Sequence, residues 1–435
     1  MSPEIIGILS FVVLFALLAM GMQIGVAMGF IGLVGMCILY PLPGAIVKMA
    51  VTPFEVASSY NFAVMPLFIF MAQITLVCGF GADLFKVAAK WLGHYRGGLA
   101  IASIGAATGF GACSGSSLAT AATVTVVALP EMKKYNYDMG LAAGALAAGG
   151  TIGSLIPPAS ALIVYAILTG VSIGALFAAS LIPALLTVVA YILVVVILCW
   201  LKPSLGPPVP KVPFLERLYS FKECWELLLL LVFVIGGMIV GWFTPTEAAA
   251  IGAAGATLLA AIKRRLTWER LIKAGKDTMT TVGMIFVILI GAIVFNGFCA
   301  KTMLPHAAAS LVGGLHVAPW LVIMVIMLIY FLMGMVMEAP SIQILTLPVF
   351  FPIVVTALGY DPIWFGVVQI RILEITSITP PLGMVAYIIA GLDKENLSLY
   401  MVFKGVAPFL LMEIITLPLF LFVMPLTMWL PSLLK

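Results

Sequence analysis

GFGACSGSSLATAATVTVVALP, residues 109–130, is an apolar run with a polar interruption at Ser114, Gly115, Ser116 and Ser117. In hydrocarbon each unpaired backbone group costs several kcal/mol, so a helix broken at membrane depth persists only when buried in protein or lining a wet cavity. Membrane depth is where composition puts it. Of 435 residues, 63% are apolar and 9% charged, against roughly 45–50% and about 25% in an ordinary soluble domain. A soluble fold of this size is excluded. The 41 Gly and 27 Pro are spread through the apolar stretches, which also excludes a fibrous or low-complexity chain. A spanning helix needs about 20 apolar residues, leaving room for roughly ten to a dozen crossings in an all-α polytopic membrane protein.

Outward from this stretch, apolar runs lie at about 5–20, 24–40, 61–79, 97–130, 139–170 and 172–201. A polar, Pro-rich segment, 202–222, follows, and then a second series at about 223–243, 246–262, 279–299, 319–357, 362–390 and 399–430. Two series of similar length suggest duplication. Tyr137-Asp138 stands nineteen residues before Pro157-Pro158, and Tyr360-Asp361 nineteen before Pro380-Pro381, a shared offset of 223. The organisation expected is a first repeat over 1–201, a linker over 202–222 and a second repeat over 223–435. The interruption at Ser114–Ser117 then falls opposite Glu338-Ala339-Pro340-Ser341.

Charge orients the halves, because short Lys/Arg-rich loops stay cytoplasmic. Lys86, Lys90 and Arg96 form one basic patch, Lys202, Lys211, Arg217 and Lys222 a second, and the stretch from Lys263 to Lys276 a third. Three apolar runs separate the first two patches, an odd number, unless 97–130 is a re-entrant hairpin that goes in and returns. The connection 131–138 carries Lys133 and Lys134, whereas its partner 356–361 has no basic residue. The halves are therefore expected to be inverted, with hairpins at 97–130 and 319–357. The net charge of +4 is distributed as an orientation signal and does not suggest nucleic acid. Six scattered cysteines with no CxxC pair suggest neither a disulfide nor a metal site. Met1–Glu4 lacks the basic start of a signal peptide.

Four breaks occur inside the apolar runs: Ser114–Ser117, Gly149–Ser154 before Pro157-Pro158, Glu338–Ser341, and Thr376–Thr379 before Pro380-Pro381. Freed carbonyls and hydroxyls suit a small hard cation, and exposed N–H groups at half-helix starts suit an anion. Small residues that only let helices pack closely are the alternative, which four breaks in symmetric pairs disfavour. Arg371 and Glu374, three apart, share a helix face and can neutralise each other; if Arg371 faces the cavity instead, it attracts an anionic solute. Glu338 sits at a hairpin tip without a neighbouring base, an intramembrane carboxylate suited to binding a cation or solute. Glu413 has no obvious partner. Thr244-Pro245-Thr246-Glu247 reads as a capping box, and 81–96 and 263–276 as amphipathic helices along the interface. His94, His306 and His316 lie in polar connections far from the serines, so a serine hydrolase has no base to hand.

GACSGSSLATAATV (111–124), GGTIGSLIPPAS (149–160), FTPTEAAAIGA (243–253), MEAPSIQILTLPVFFPIV (337–354), GYDPIWFG (359–366) and ITSITPPLG (375–383) together resemble the large membrane subunit of tripartite ATP-independent periplasmic (TRAP) transporters. The resemblance covers essentially the whole chain. It implies an elevator-type secondary transporter in the bacterial inner membrane, built on two re-entrant hairpins. It also implies a sodium gradient as driving force, an organic acid delivered by a periplasmic binding protein, and a separate small four-helix membrane subunit. Carried over, a first sodium site falls on Ser114 with backbone around Gly153, Ile156 and Pro158, and a second on Gly334, Thr376, Thr379 and Met384. The carboxylate falls near Ser116, Ser117, Ser160 and Glu338. A stand-alone dicarboxylate or citrate carrier of related design is the nearest rival, and a channel or membrane scaffold the rival from another class.

Overall fold

The computed structural model describes residues 2–39, 42–304, 307, 310 and 317–433; His306 and His316 lie outside the described residues. Among these residues every regular element is helical. The first half contains α1 (Pro3–Ala19), α2 (Ile24–Leu39), α3 (Leu42–Ser58), α4 (Val64–Val77), α5 (Phe80–Leu92), α6 (Gly98–Ser114), α7 (Ser117–Lys134), α8 (Met139–Thr151), α9 (Ser160–Thr169) and α10 (Ile173–Leu201). After α11 (Phe214–Ser220) come α12 (Trp225–Val240), α13 (Pro245–Ile262), α14 (Trp268–Lys301), α15 (Pro319–Gly334), α16 (Ala339–Phe351), α17 (Pro362–Thr376), α18 (Met384–Leu392), α19 (Leu399–Phe422) and α20 (Pro425–Leu433).

Local sequence explains where these helices start. Asp138 caps α8 by accepting from Leu141 N–H (2.9 Å), and Asp361, at the matching place, caps α17 by accepting from Ile363 and Trp364 N–H. Each capped helix ends at a break containing a cis Pro-Pro bond, followed by a short helix, α9 or α18. Ser172 and Ser398 then cap α10 and α19. Thr244 and Glu247 form the expected reciprocal capping box at the start of α13. Thr244→Ala is expected to lower stability by about 1 kcal/mol, read as a small drop in the melting temperature of the purified protein.

Two helix groups pack side by side. In one, α14 lies along α2, α3 and α4, and α13 lies on α4 and α12. The other draws on both halves of the chain: α6, α7 and α8 pack together, α19 runs along α8, α17 on α15, α16 on α9, and α18 on α7. The contact of α8 with α19 is backbone on backbone, since a Cβ at Gly405 would stand 1.9 Å from the Gly140 carbonyl oxygen. Where lipid gives helices no hydrophobic incentive to associate, such close approach supplies van der Waals contact. Lys133, at the end of α7, pairs with Asp393 beyond α18. The Asn396 amide and the Lys133 ammonium hold the Asp393 carboxyl below its ordinary range. Its contribution is therefore present above the ordinary carboxylate pKa and is lost as pH falls through the depressed one. Both groups are partly exposed, so Lys133→Ala should cost under about 1 kcal/mol at neutral pH.

Five described helices are long and apolar enough to cross a bilayer unaided, or seven spans if the bent pairs α4–α5 (62°) and α11–α12 (56°) each count as one. Six further apolar helices of 10–17 residues lie among the described residues. One sequence expectation changes: the amphipathic stretch 263–276 is not a separate helix. From Trp268 it continues into the next run as the 34-residue α14, which has no Pro to break it. Its counterpart 81–96 does form a bent-off helix, α5, entered through Gly79 at φ +75°.

Candidate functional site

The four breaks meet. A cavity of about 80 Å³ is lined by residues at the start of α7 (Ser116, Ser117), α9 (Ser160), α16 (Glu338, Ala339) and α18 (Met384). Its remaining walls come from the ends of the preceding helices, including Ser154, Gly334, Glu374 and Ser377. Helix starts carry unsatisfied N–H groups and partial positive charge. Helix ends bring carbonyl oxygens to the same space.

The α6–α7 tip turns at Gly115, φ +58°, where a Cβ would stand 2.2 Å from the Pro158 carbonyl oxygen. Ser160 holds this turn, donating from both N–H (3.1 Å) and Oγ (3.0 Å) to the Gly115 carbonyl. Ser116 caps α7, accepting from Ala119 N–H (3.4 Å). Ser117 is buried and committed: its N–H donates to Ser154 Oγ (3.1 Å), its hydroxyl lies 2.6 Å from the same oxygen, and it donates to the Glu374 carboxylate. One hydrogen-bonded chain thus ties α7, the α8–α9 break and α17.

Ser114 stands beside Thr120, Oγ to Oγ1 2.7 Å, with the Ser116 carbonyl 3.4 Å away. Gly153 packs against the same group, since a Cβ there would lie 2.5 Å from Thr120 Oγ1 and 3.0 Å from the Ser116 oxygen. Ser114, Ser116, Thr120 and Gly153 therefore form one oxygen-rich corner; Ile156 is buried nearby in the break, and Pro158 shares with Ser114 and Ser160 a gap of about 10 Å³ against Phe68 of α4 and Ile285 of α14. In the second half, Gly334 lies against Thr376, whose Oγ1 a Cβ would meet at 2.0 Å. Thr379 is set apart: its hydroxyl donates to the Ile375 carbonyl (2.7 Å), and it lines a separate apolar cleft with Phe331 and Leu410.

Arg371 is not at the cavity. Fully buried, it pairs with Glu413 of α19 and lies 3.5 Å from the Tyr191 hydroxyl of α10. Thr416 donates to the same carboxylate (2.7 Å). The expected Arg371–Glu374 pair is therefore replaced by two separate arrangements, and the reading of Arg371 as an attractor of solute gives way to one of Arg371 as an interior tie. The reason is directional: three residues along α17 turn the two side chains toward different neighbours, Glu413 for one and Ser117 for the other. Sequence reasoning placed Ser154 and Ser377 inside the breaks without giving either a role, and missed Glu374 and Thr120 as cavity or corner groups. Thr120, one turn after Ser116, was recoverable from helical spacing; Glu374 was not, because its partner is 257 residues away.

Paired broken helices enclosing a small polar cavity inside an apolar, multi-pass bundle define a membrane carrier. The sequence profile of the tripartite ATP-independent periplasmic transporter DctM component matches residues 11–426. The chain is 34% identical over 374 residues to the C4-dicarboxylate TRAP transporter large permease protein DctM of Pseudomonas aeruginosa, covering 85% of this chain and 86% of that one. It is 31% identical over 376 residues to the sialic acid TRAP transporter large permease protein SiaM of Vibrio cholerae, covering 86% and 87%. The crystal structure of the Alcanivorax borkumensis YdaH transporter shares the fold, at a TM-score of 0.57 and 15% identity over 86% of this chain and 87% of that one. The chain belongs to the DctM family: it is a large permease subunit of a TRAP transporter, not an enzyme.

Proposed function

We propose that this permease carries out sodium-coupled uptake of an organic acid across a bacterial inner membrane, taking the carboxylate from a periplasmic binding protein and working with a small four-helix membrane subunit. The observation that carries the reading is the convergence of four helix starts on one polar cavity. Each contributes at most about half a positive charge, together about +2. Glu338 and Glu374 line the same cavity, and when ionised they offset that charge, so the solute's own negative charge calls for accompanying cations. Cations bound at the breaks would order the tips, so that solute binds well only once they are in place, which couples the two fluxes. The Ser114–Thr120–Gly153 corner suits one sodium ion, with Ile156 and Pro158 contributing backbone. Gly334, Thr376 and Met384 suit another, while Thr379 stands apart in its own apolar cleft. Names of relatives that refer to C4-dicarboxylates and sialic acid support a carboxylate cargo.

In this reading the hairpins α6–α7 and α15–α16 dip in from opposite faces, as halves 1–201 and 223–435 related by inversion would place them. The cavity-bearing helix group slides against the α2–α4, α12–α14 group as an elevator. Reconstituted into proteoliposomes with the small subunit and the binding protein, the chain should accumulate the acid only under an inward sodium gradient. Undiminished uptake with potassium in place of sodium would remove the coupling, and full activity of this chain alone with free solute would remove the tripartite part. Ser114→Ala and Thr376→Ala should each weaken apparent sodium affinity about tenfold, the loss of one ligand hydroxyl at about 1.4 kcal/mol.

A further inference from the structure

A second cleft, of about 460 Å³, opens where α8, α10 and α19 meet. Its position follows from the helix crossing described above. Gly140 and Gly405 bring α8 and α19 into backbone contact, so no side chain projects between them to fill the space beside α10. The walls are apolar, with Leu141, Leu198, Leu201 and Pro408 among them. The mouth is basic. Lys202 follows the end of α10, and Lys404 lies one turn after Tyr400 on α19. Both lysines are exposed, and among the described residues neither ammonium has a carboxylate partner. The acidic group at the mouth, Asp138, is turned toward its own helix, accepting from Leu141 N–H (2.9 Å).

Two aromatic side chains mark the depth. Trp200 is 76% exposed and Tyr400 75% exposed, as in the belts of Trp and Tyr at a membrane–water boundary. Lys202 belongs to the basic segment that the positive-inside rule places on the cytoplasmic face. The cleft therefore begins at headgroup level and runs into the hydrocarbon.

We propose that this cleft is a binding site for an anionic phospholipid, its phosphate held between Lys202 and Lys404 and one acyl chain lying along Leu198, Leu201 and Pro408. The chemistry decides for such a lipid over its alternatives. A free phosphate would leave the apolar walls uncovered, and a zwitterionic lipid would bring its own cation to two unpaired ammonium groups. Basic pockets between membrane helices on the cytoplasmic side take anionic headgroups for this reason, each basic residue contributing about a fivefold gain in affinity. The site lies on the helix group that bears the cavity, and its existence does not depend on the sodium or carboxylate assignments.

The test uses the purified, delipidated full chain in detergent. Thermal midpoints are followed against added phosphatidylglycerol, phosphatidylcholine with the same chains, and inorganic phosphate, with retained lipid counted by native mass spectrometry. Phosphatidylglycerol should raise the midpoint and remain bound, and the other two should not. In Lys202→Gln/Lys404→Gln the apparent affinity should fall about 25-fold, while Lys202→Arg/Lys404→Arg should retain it. Independently of any variant, raising ionic strength to 1 M, where screening acts within about 3 Å, should weaken phosphatidylglycerol binding to the wild-type chain. Equal stabilisation by phosphatidylcholine or by phosphate alone, unchanged affinity in the Gln variant, or salt-independent binding would each overturn the proposal.

Discussion

Arg371→Met is expected to leave little folded permease, and Glu413→Leu the same, whereas Arg371→Met/Glu413→Leu together should restore much of it. Arg371 and Glu413 are 0% and 3% exposed in side-chain terms, and they join α17 to α19 with Tyr191 of α10 alongside. Removing one member leaves an uncompensated charge in a low-dielectric interior, a loss of about 3–5 kcal/mol, while replacing both by apolar groups of similar volume is often neutral. The measurement is the monodisperse fraction and melting temperature of each variant in detergent. A single variant as stable as the parent would show that the pair does not tie these helices together.

Gly115→Ala should slow uptake by about 5- to 140-fold with only a modest change in yield. The residue sits at φ +58°, where a non-Gly residue costs about 1–3 kcal/mol, and its new Cβ would meet the Pro158 carbonyl oxygen at 2.2 Å. That oxygen belongs to the backbone of the opposing break and cannot rotate away, so the tip must move and Ser160 must lose its grip on the Gly115 carbonyl. At 1.4 kcal/mol per factor of ten, strain of about 1–3 kcal/mol corresponds to a loss of about 5- to 140-fold in initial rate. Gly105→Ala, on the same helix with nothing within 4 Å of its Cβ, is the matched control and should transport normally. Equal rates for the two variants would show that the tip geometry is not needed for transport.

The breaks were legible because they violate a rule with a large penalty. Polar residues and Pro-Pro pairs inside apolar runs stand out where each unpaired backbone group is costly, which marks Ser114–Ser117, Gly149–Ser154, Glu338–Ser341 and Thr376–Thr379 in the sequence itself. The capping box at Thr244 was legible for a related reason: it is complete within four residues. Partnerships were not. Helical spacing says that Arg371 and Glu374 share a face, but it does not say that Glu413 waits 42 residues downstream on another helix.

Composition, the period of the apolar runs and the shared offset of the two Pro-Pro pairs are properties of the chain itself, and they determined by themselves that this is an all-helical, multi-pass membrane protein with interrupted helices. Which buried charge meets which, that the helix starts face one cavity, and that Thr379 stands aside from it were decided only by tertiary packing. The physical reason is range. Capping, periodicity and chain breaks act over a few residues and leave their mark in local sequence, whereas an ion pair between helices, such as Arg371 with Glu413, or a cavity wall depends on how helices are placed in three dimensions.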